Sequence, residues 1–515
     1  MVAPSFRLAH LLPVDIAAQL PRAFVDLSVT GVAMDSRRVQ PGNVFVALKG
    51  QTEDGARYLS SAVARGAVAG LIEGDVVADV LSDIPCATMP KLRAIVGDMA
   101  DCCSGMPSAA LSLVGVTGTN GKTTVTWLLA QLLEGVGLRC GVLGTLGSGL
   151  VGQIEAGQLT TADVVTNHQT LARMVDAGAR VAAMEVSSHA LAQQRVAGLR
   201  FAVAVFTNLT RDHLDYHGSM EAYAEAKQTL LAWPGLAARV INLDDEHGRR
   251  WAQRAGARLI GYSIEAARDS EPNQDRTAAD VLFVKSDDAL GAVVGHMRTP
   301  AGRLQVNTKL IGRFNASNLA AVVATALALG VQLPDIERVL PTLTPAPGRM
   351  QQFGSSDDVL AVVDYAHTPD GLEKALTALR LLTRGRLWCV FGCGGDRDRG
   401  KRPLMAAVAD RLADCVVLTD DNPRTEDPEQ IFVDARSFAD DQALLDKRTG
   451  SAHRTEWRAE HDRARAIAQA VSCASVGDVV LIAGKGHETY QEIGGVRRDF
   501  SDAAVVQAAL MERAA

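Results

Sequence analysis

The sequence predicts an α/β protein of three domains, each built on a largely parallel sheet. Three observations lead there. Apolar strand-like runs alternate with helical stripes along most of the chain, the pattern of parallel strands joined by crossover helices. Two stretches rich in proline and glycine interrupt that alternation, "GMPSAA" from Gly105 and "TLTPAPG" from Thr342. The 515 residues suit about three domains at roughly 150 residues each. The expected boundaries are 1–107, 108–345 and 346–515.

Each block supplies its own elements. In the first, "NVFVAL" alternates like a strand, "GARYLSSAVARGA" has helical spacing and "VAGLIE" returns as a strand. In the second, the apolar run "LSLVGV" precedes the helix "TTVTWLLAQLLEGVG", with Val125, Leu128, Leu129, Leu132 and Leu133 on one stripe. Strands follow at "RVAAMEV" and "FAVAVFTNL", a helix at "MEAYAEAKQTLLA" and a strand at "ARVINLD". In the third, strands "LAVVDYA", "RLWCVFG", "DCVVLTDD" and "GDVVLIAG" alternate with helices. The charge-free run "LAAVVATALALGV" is too short for a membrane span and reads as a buried helix.

Composition narrows the function. Apolar residues make up 47% of the chain, enough for several cores, and the net charge is −7. A mildly acidic surface with 4% aromatic residues argues against nucleic acid, which demands basic patches and stacking platforms. The eight cysteines form no Cys-x-x-Cys pair, so they are expected to be mostly buried thiols rather than zinc ligands. Pro13 and Asp15 interrupt the N-terminal stretch, which makes a poor signal peptide. A soluble cytoplasmic protein is expected.

The stretch "GVTGTNGKTT", Gly115 to Thr124, departs from the strict phosphate-loop motif, because Val116 stands where the first glycine belongs. The chemistry survives the departure. A strand leads in and a helix leads out, glycines let backbone amides approach an anion, and the helix start favours negative charge. Lys122 can reach terminal phosphates and Thr123 can ligate Mg²⁺. A ligand-free glycine turn is the plain alternative, and Gly-Lys-Thr-Thr at a helix start speaks against it. A guanine-specific switch needs Asn-Lys-x-Asp downstream, which this chain lacks.

Further along, Glu185 ends an apolar strand and is placed to hold Mg²⁺. His189 in the same stretch reads equally well as a packed or capping residue. "NLTRDHLDYHG" gathers Asp212, His213, Asp215 and His217 into either a solvated turn or an active-site loop. Lys227 falls on the apolar stripe of Met220, Tyr223, Leu230 and Leu231. Spacing alone favours a lysine snorkelling from a partly buried face. A buried lysine with a depressed pKa is the other reading, open to reaction with CO₂ to give an anionic carbamate.

Together with these, "MEVSSHAL", "EAKQTLL", "GRFNASNLAA", "DYAHTPDGL", "GCGGDRDRGKRPLM", "DNPR" and "AGKGHETYQ" resemble the motifs of the Mur ligases, in family order from Asp35 to Asp502. The resemblance implies a UDP-binding N-terminal α/β domain, a central P-loop ATPase-like parallel-sheet domain and a Rossmann-like C-terminal domain that binds an amino acid. It implies ATP-dependent amide formation through an acyl phosphate, with Mg²⁺ as cofactor and ATP as co-substrate.

By the resemblance, Lys122, Glu185, His213 and Lys227 are catalytic. Thr123, Glu185, His213 and Lys227 as its carbamate would be metal ligands. ATP would be bound by Gly118, Thr119, Asn120, Gly121, Lys122, Thr123, Thr124, Asn315, Arg349, Asp364 and His367. The UDP-N-acetylmuramoyl-L-Ala-D-Glu substrate would meet Met34, Ser36, Gln51, Thr52, Glu53, Thr160, Thr161, Ser187, Gln193 and Arg195. Leu159 stands where the family commonly has Asn, and Gln51–Thr52–Glu53 also depart from the usual residues.

The added amino acid is expected to be meso-diaminopimelate, because the family's diaminopimelate-adding members carry Asp-Asn-Pro-Arg. Here that is Asp421, Asn422, Pro423 and Arg424, with Arg397, Gly484 and Glu488 at other substrate positions. Arg424 has a planar fork suited to the second carboxylate that lysine lacks. "GCGGDRDRG" is not a dinucleotide fingerprint, since Arg397 occupies the third glycine's place. The rival readings are a lysine-adding muramyl ligase, a folylpolyglutamate synthetase-like ligase, and a nucleotide switch that makes no bond.

Overall fold

The computed structural model describes residues 5–50, 54–74, 77–79, 83–157, 159–254, 256–264, 279–286, 291–355, 357–440 and 455–514. Three main sheets organise these residues. The N-terminal sheet runs Gly31–Ala33, Asn43–Ala47, Ala69–Glu73, Cys86–Met89 and Val77–Asp79. Its first four strands are parallel, and Val77–Asp79 closes one edge in the antiparallel sense.

The central sheet has eleven strands among the described residues. Seven are parallel, from Cys140–Gly144 through Val181–Glu185, Ser112–Thr117, Phe201–Phe206, Ala238–Asn242 and Arg258–Ser263 to Val281–Lys285. Antiparallel hairpins extend both edges, at 147–155 and at 292–311, and the sequence pattern did not announce them. Helices cover both faces. On one lie Lys122–Gly135 and Arg313–Ala328, on the other Val164–Asp176 and Met220–Leu231. All five residues of the Val125–Leu133 stripe are fully buried, each adding about 1.5–3 kcal/mol to stability through apolar burial. Of the run "LAAVVATALALGV", Leu319 to Ala326 are buried in the helix Arg313–Ala328, whereas Leu327 to Leu329 are half-buried and Gly330 is exposed beyond its end.

The C-terminal sheet runs Gln351–Gly354, Leu360–Asp364, Val479–Ala483, Leu387–Phe391, Cys415–Leu418 and Glu456–Ala459, all parallel but the first. No described helix is long and apolar enough to cross a membrane. Five cysteines are buried, Cys103 is half-buried, and Cys102 and Cys473 are exposed.

Two local expectations are corrected. "GMPSAA" is not a free linker. Pro107–Ala110 forms a helical turn, Pro107 and Ser108 are buried, and the Ser108 hydroxyl accepts a hydrogen bond from the Arg200 amide at 3.1 Å. "GARYLSSAVARGA" is not one helix. Asp54 caps a 3₁₀ turn over Gly55–Tyr58 before the α-helix Leu59–Ala64 begins.

Candidate active site

The phosphate loop leaves the sheet at the C-terminal end of Ser112–Thr117, an interior strand between Val181–Glu185 and Phe201–Phe206. Ligands of open α/β sheets gather at such ends. Gly118 and Gly121 take positive φ, +149° and +88°. A Cβ at Gly118 would collide with the Thr207 hydroxyl, and one at Gly121 with Asn318 Oδ1. The Asn208 side chain accepts from the Asn120 amide at 3.0 Å, and the Thr207 hydroxyl donates to the Asn120 carbonyl at 2.6 Å. The loop is therefore held from the neighbouring strand end, and its helix begins at Lys122.

Glu185 pairs in register with Val116, which brings its carboxylate to the mouth of the loop. It is 1% exposed. The Thr123 hydroxyl donates to Oε2 at 2.9 Å, and the Thr145 amide to Oε1 at 2.8 Å. Arg349, from the C-terminal part of the chain, donates to the same Thr123 hydroxyl at 3.2 Å. Its guanidinium also lies 4.4 Å over the Tyr365 ring.

Lys227 overturns the snorkelling reading. It is 1% exposed, and its Nζ donates to the Gly118 carbonyl at 2.8 Å instead of reaching solvent. Burial, with Lys122 beside it, pushes its pKa well below the usual lysine value. Burial also lowers Lys122, while Glu185 and Asp212 oppose that shift. Burial lowers His213 to about 4, although Asp212 lies 3.5 Å from its Nε2. Burial would raise the Asp212 carboxyl, but His213, His367 and Lys401 more than offset it and hold the pKa low. "NLTRDHLDYHG" is therefore a packed loop. His213 sits at φ +54°, and His189 packs against His213, Tyr216 and His217 at ring separations of 4.8, 4.2 and 5.5 Å.

A cavity of about 730 Å³ opens beside this centre. Asn120, Gly121, Thr124, Asn315, Arg349, Asp364 and His367 line it. The Asn315 amide donates to the Ile311 carbonyl at 2.8 Å. Asp364 accepts from the Met350 amide at 2.7 Å, and burial raises its pKa. Burial lowers His367 to about 4, helped by nearby Lys401. Asn120 Nδ2 donates to Asp370 Oδ2 at 2.9 Å, tying the loop to the C-terminal domain.

Of the residues expected at the UDP-peptide site, Thr160, Thr161 and Ser187 adjoin Glu185. The Thr161 hydroxyl donates to the Glu185 carbonyl at 2.8 Å and accepts from the Ser187 amide at 3.1 Å. Thr160 and Thr145 hydroxyls are 3.1 Å apart. Arg195 donates to the Thr161 carbonyl at 3.0 Å and to Gln193 Oε1 at 2.6 Å. Ser36 is buried in a short turn whose Arg38 donates to Thr166 at 2.8 Å, joining the N-terminal domain to the helix after Thr161. Met34 is half-buried against the N-terminal core. Leu159 is 53% exposed. Gln51, Thr52 and Glu53 lie outside the described residues.

At the C-terminal domain, Asn422 donates to Glu488 Oε2 at 2.9 Å. Arg424 sits at φ +54°, with its amide bonded to the Glu492 carbonyl at 3.0 Å and Nη1 to the Gly395 carbonyl at 2.7 Å. Arg397 is exposed, and it and Arg424 flank Gly394. A Cβ on Gly484, at φ +118°, would face the Asp421 carboxylate at 3.6 Å. Sequence reading passed over Thr145 and Lys485. Lys485 is fully buried, and its signal was a lysine directly after the apolar strand "VVLIAG". Thr145 carries no signal of its own, because only strand pairing brings it to Glu185.

Three family models tile the chain: the Mur ligase family catalytic domain at residues 28–96, the Mur ligase middle domain at 116–326 and the Mur ligase glutamate ligase domain at 348–486. The chain belongs to the Mur ligase family. It is 49% identical over 495 residues to the UDP-N-acetylmuramoyl-L-alanyl-D-glutamate–2,6-diaminopimelate ligase of Ectopseudomonas mendocina, covering 95% of this chain and 97% of that one. It is 48% identical over 503 residues to the ligase of the same name from Pseudomonas aeruginosa, covering 97% and 98%. A solved structure of a diaminopimelate ligase of that name superposes with a TM-score of 0.68 at 36% identity, covering 99% of this chain and all of the other. A Mycobacterium tuberculosis folylpolyglutamate synthase, 20% identical with a TM-score of 0.57 over 76% of this chain, shares the fold alone. The Mur ligase architecture of three α/β domains is thus the fold of this chain.

Proposed function

We propose that this Mur ligase adds meso-2,6-diaminopimelate to UDP-N-acetylmuramoyl-L-alanyl-D-glutamate with hydrolysis of ATP, giving the UDP-tripeptide of peptidoglycan synthesis. The observation that carries the reading is the Thr123 hydroxyl. Glu185 of the central sheet and Arg349 of the C-terminal part meet at that oxygen, 2.9 and 3.2 Å away. The expected nucleotide residues lie along one cavity beside it.

The chemistry follows from charge. The D-glutamate carboxylate takes the γ-phosphoryl group of ATP, forming an acyl phosphate and ADP. The diaminopimelate amine then attacks the acyl carbon, and phosphate leaves as the amide forms. Two anions approach each other in the first step, so cations must offset the repulsion. Lys122 and Arg349 supply fixed positive charge at the loop. Mg²⁺ supplies further neutralisation when bound.

The donors fit Mg²⁺. Thr123 and Glu185 present hard oxygen atoms, and among the described residues no cage of three or more His, Cys, Asp or Glu side chains forms. Mg²⁺ keeps waters and substrate phosphates and needs only one or two protein carboxylates. Lys227, whose pKa burial and Lys122 lower well below the usual lysine value, is suited to take up CO₂ as a carbamate with release of a proton. With His213 it would then make a second oxygen and nitrogen donor pair.

The reading is tested with a panel of amino acids, scoring the UDP-tripeptide by mass. Phosphate release should depend on both the UDP-dipeptide and diaminopimelate. Product with L-lysine but not diaminopimelate would replace the reading with the lysine-adding one. Phosphate release without either acceptor would mean a switch that makes no bond.

A further inference from the structure

Lys485 is as buried as any side chain in the protein, at 0% exposure, yet it sits beside the expected amino-acid site. Its Nζ donates to Glu488 Oε2 at 2.8 Å and to Asn422 Oδ1 at 3.0 Å, and lies 3.7 Å from Asp421 Oδ1. Asn422 Nδ2 donates to the same Glu488 oxygen. The Glu492 amide donates to Asn422 Oδ1 at 2.9 Å. Lys485 therefore fixes the Asn422 amide and one oxygen of Glu488 together. Asp421 Oδ1 is buried without a hydrogen bond among the described residues.

Asp421 and Glu488 are two carboxylates against one ammonium. Arg463, buried nearby, is paired with Asp502 at 2.7 Å, and Arg497 lies 4.4 Å over the Tyr490 ring. Tyr490 covers Lys485 at 5.5 Å from its ring centre and adds no charge. Lys485 and Asn422 both bond Glu488 Oε2, which leaves Oε1 as a carboxylate acceptor for an ammonium. Resting on the diaminopimelate reading above, we infer that Lys485 is the positioning residue of the substrate's ammonium subsite. It aims Glu488 and Asn422 at the ammonium.

Three features separate this from a merely structural lysine. Its partners are substrate-site residues rather than core groups. It holds only one Glu488 oxygen, so the other remains available. Removing it would leave Glu488 Oε2 and Asn422 Oδ1 without the donor that holds them together.

The test measures steady-state kinetics for Lys485→Met and Lys485→Arg, each for all three substrates. Losing one partner of a buried charged bond predicts a KM for diaminopimelate raised roughly 30-fold or more in Lys485→Met. KM for ATP and the UDP-dipeptide should stay near wild type, and Lys485→Arg should recover part of the loss. A double variant, Lys485→Met with Glu488→Gln, should lose less for diaminopimelate than the product of the two single losses, because the lysine acts in part through that carboxylate. Unchanged diaminopimelate KM in Lys485→Met, equal losses for every substrate, or additive losses in the double variant would overturn the inference. If Lys485→Met does not fold, Lys485→Arg with the Glu488→Gln comparison decides it by the same criteria. A wild-type enzyme that fails to ligate diaminopimelate would instead sink the functional reading.

Discussion

Lys122 and Lys227 come from different helices, yet both ammonium groups donate to one carbonyl oxygen, that of Gly118, each at 2.8 Å. Two cations cannot share a buried oxygen without cost. Their surroundings divide the burden. Burial lowers both pKa values; Asp212 supports the charge on each, Glu185 adds support to Lys122 against Arg349, and Lys227 is further depressed by Lys122. The pair is therefore asymmetric, with Lys227 the more strongly depressed of the two.

That asymmetry sets the first prediction. Lys122→Ala should lower kcat by about 10²–10³ or more, since a fixed charge is removed from phosphoryl transfer. Lys227→Ala should be similarly impaired but partly restored by a small carboxylic acid, which replaces the missing carbamate. Normal turnover of folded Lys227→Ala without additive would rule out the carbamate.

The second prediction concerns Gly144. Its neighbouring strand position places a Cβ against Glu185 Oε1, closer than real atoms approach. Its φ is not positive, so alanine is compatible with the backbone and only the carboxylate must move. Gly144→Ala should fold but need at least about tenfold more Mg²⁺ for half-maximal activity, as one ligating side chain is displaced. An unchanged Mg²⁺ titration would mean that Glu185 does not serve the metal.

Much of this site was legible in the sequence, for definable reasons. Thr123 and Glu185 sit at a helix start and a strand end, and Arg424 in the loop after the strand Cys415–Leu418, where periodic patterns stop and chemistry-bearing residues stand out. Lys227 was legible as an oddity, but spacing could not separate a snorkelling stem from a buried amine. That distinction depends on the Gly118 carbonyl waiting for it. Thr145 and Gly144 were illegible, because parallel pairing across the sheet makes them neighbours of Glu185. The edge hairpins of the central sheet carried too little alternation to announce their pairing.

The third prediction is one of stability. Glu426 is 7% exposed and accepts from Arg402 at 2.7 and 2.9 Å, with Arg399 at 2.8 Å. The Arg402 bonds hold its pKa down, from a usual 4.5 to about 2. A depressed carboxylate stabilises the fold above its unfolded value and loses that contribution as pH falls towards its folded value. Glu426→Gln should therefore cost about 3 kcal/mol at neutral pH, the cost of breaking a buried pair. The gap to wild type should narrow as pH falls from about 4.5 towards 2. Denaturant unfolding at neutral pH and at two points below 4.5 measures it, and a gap independent of pH would refute the assignment.

The last prediction rests on Arg424, which anchors its loop and also offers donors to a ligand. Nη1 is taken by the Gly395 carbonyl, leaving the rest of the fork for the distal carboxylate of diaminopimelate. Truncation to Arg424→Ala should weaken diaminopimelate use by roughly 30- to 1000-fold, the worth of a charge-assisted bidentate contact. ATP and the UDP-dipeptide should be nearly unaffected, because their expected residues lie elsewhere. The backbone adds a second handle. Arg424 occupies the left-handed region at φ +54°, where a non-glycine residue costs about 1–2 kcal/mol. Arg424→Gly should therefore be the more stable of the two variants while losing diaminopimelate as severely. L-lysine need not improve in either, since deleting the arginine removes an obstacle without building a lysine pocket. Titrating each substrate against both variants, with thermal unfolding alongside, separates the outcomes. A uniform loss for all substrates would make Arg424 a support of the fold. Unchanged diaminopimelate dependence would move carboxylate recognition to Arg397, across Gly394.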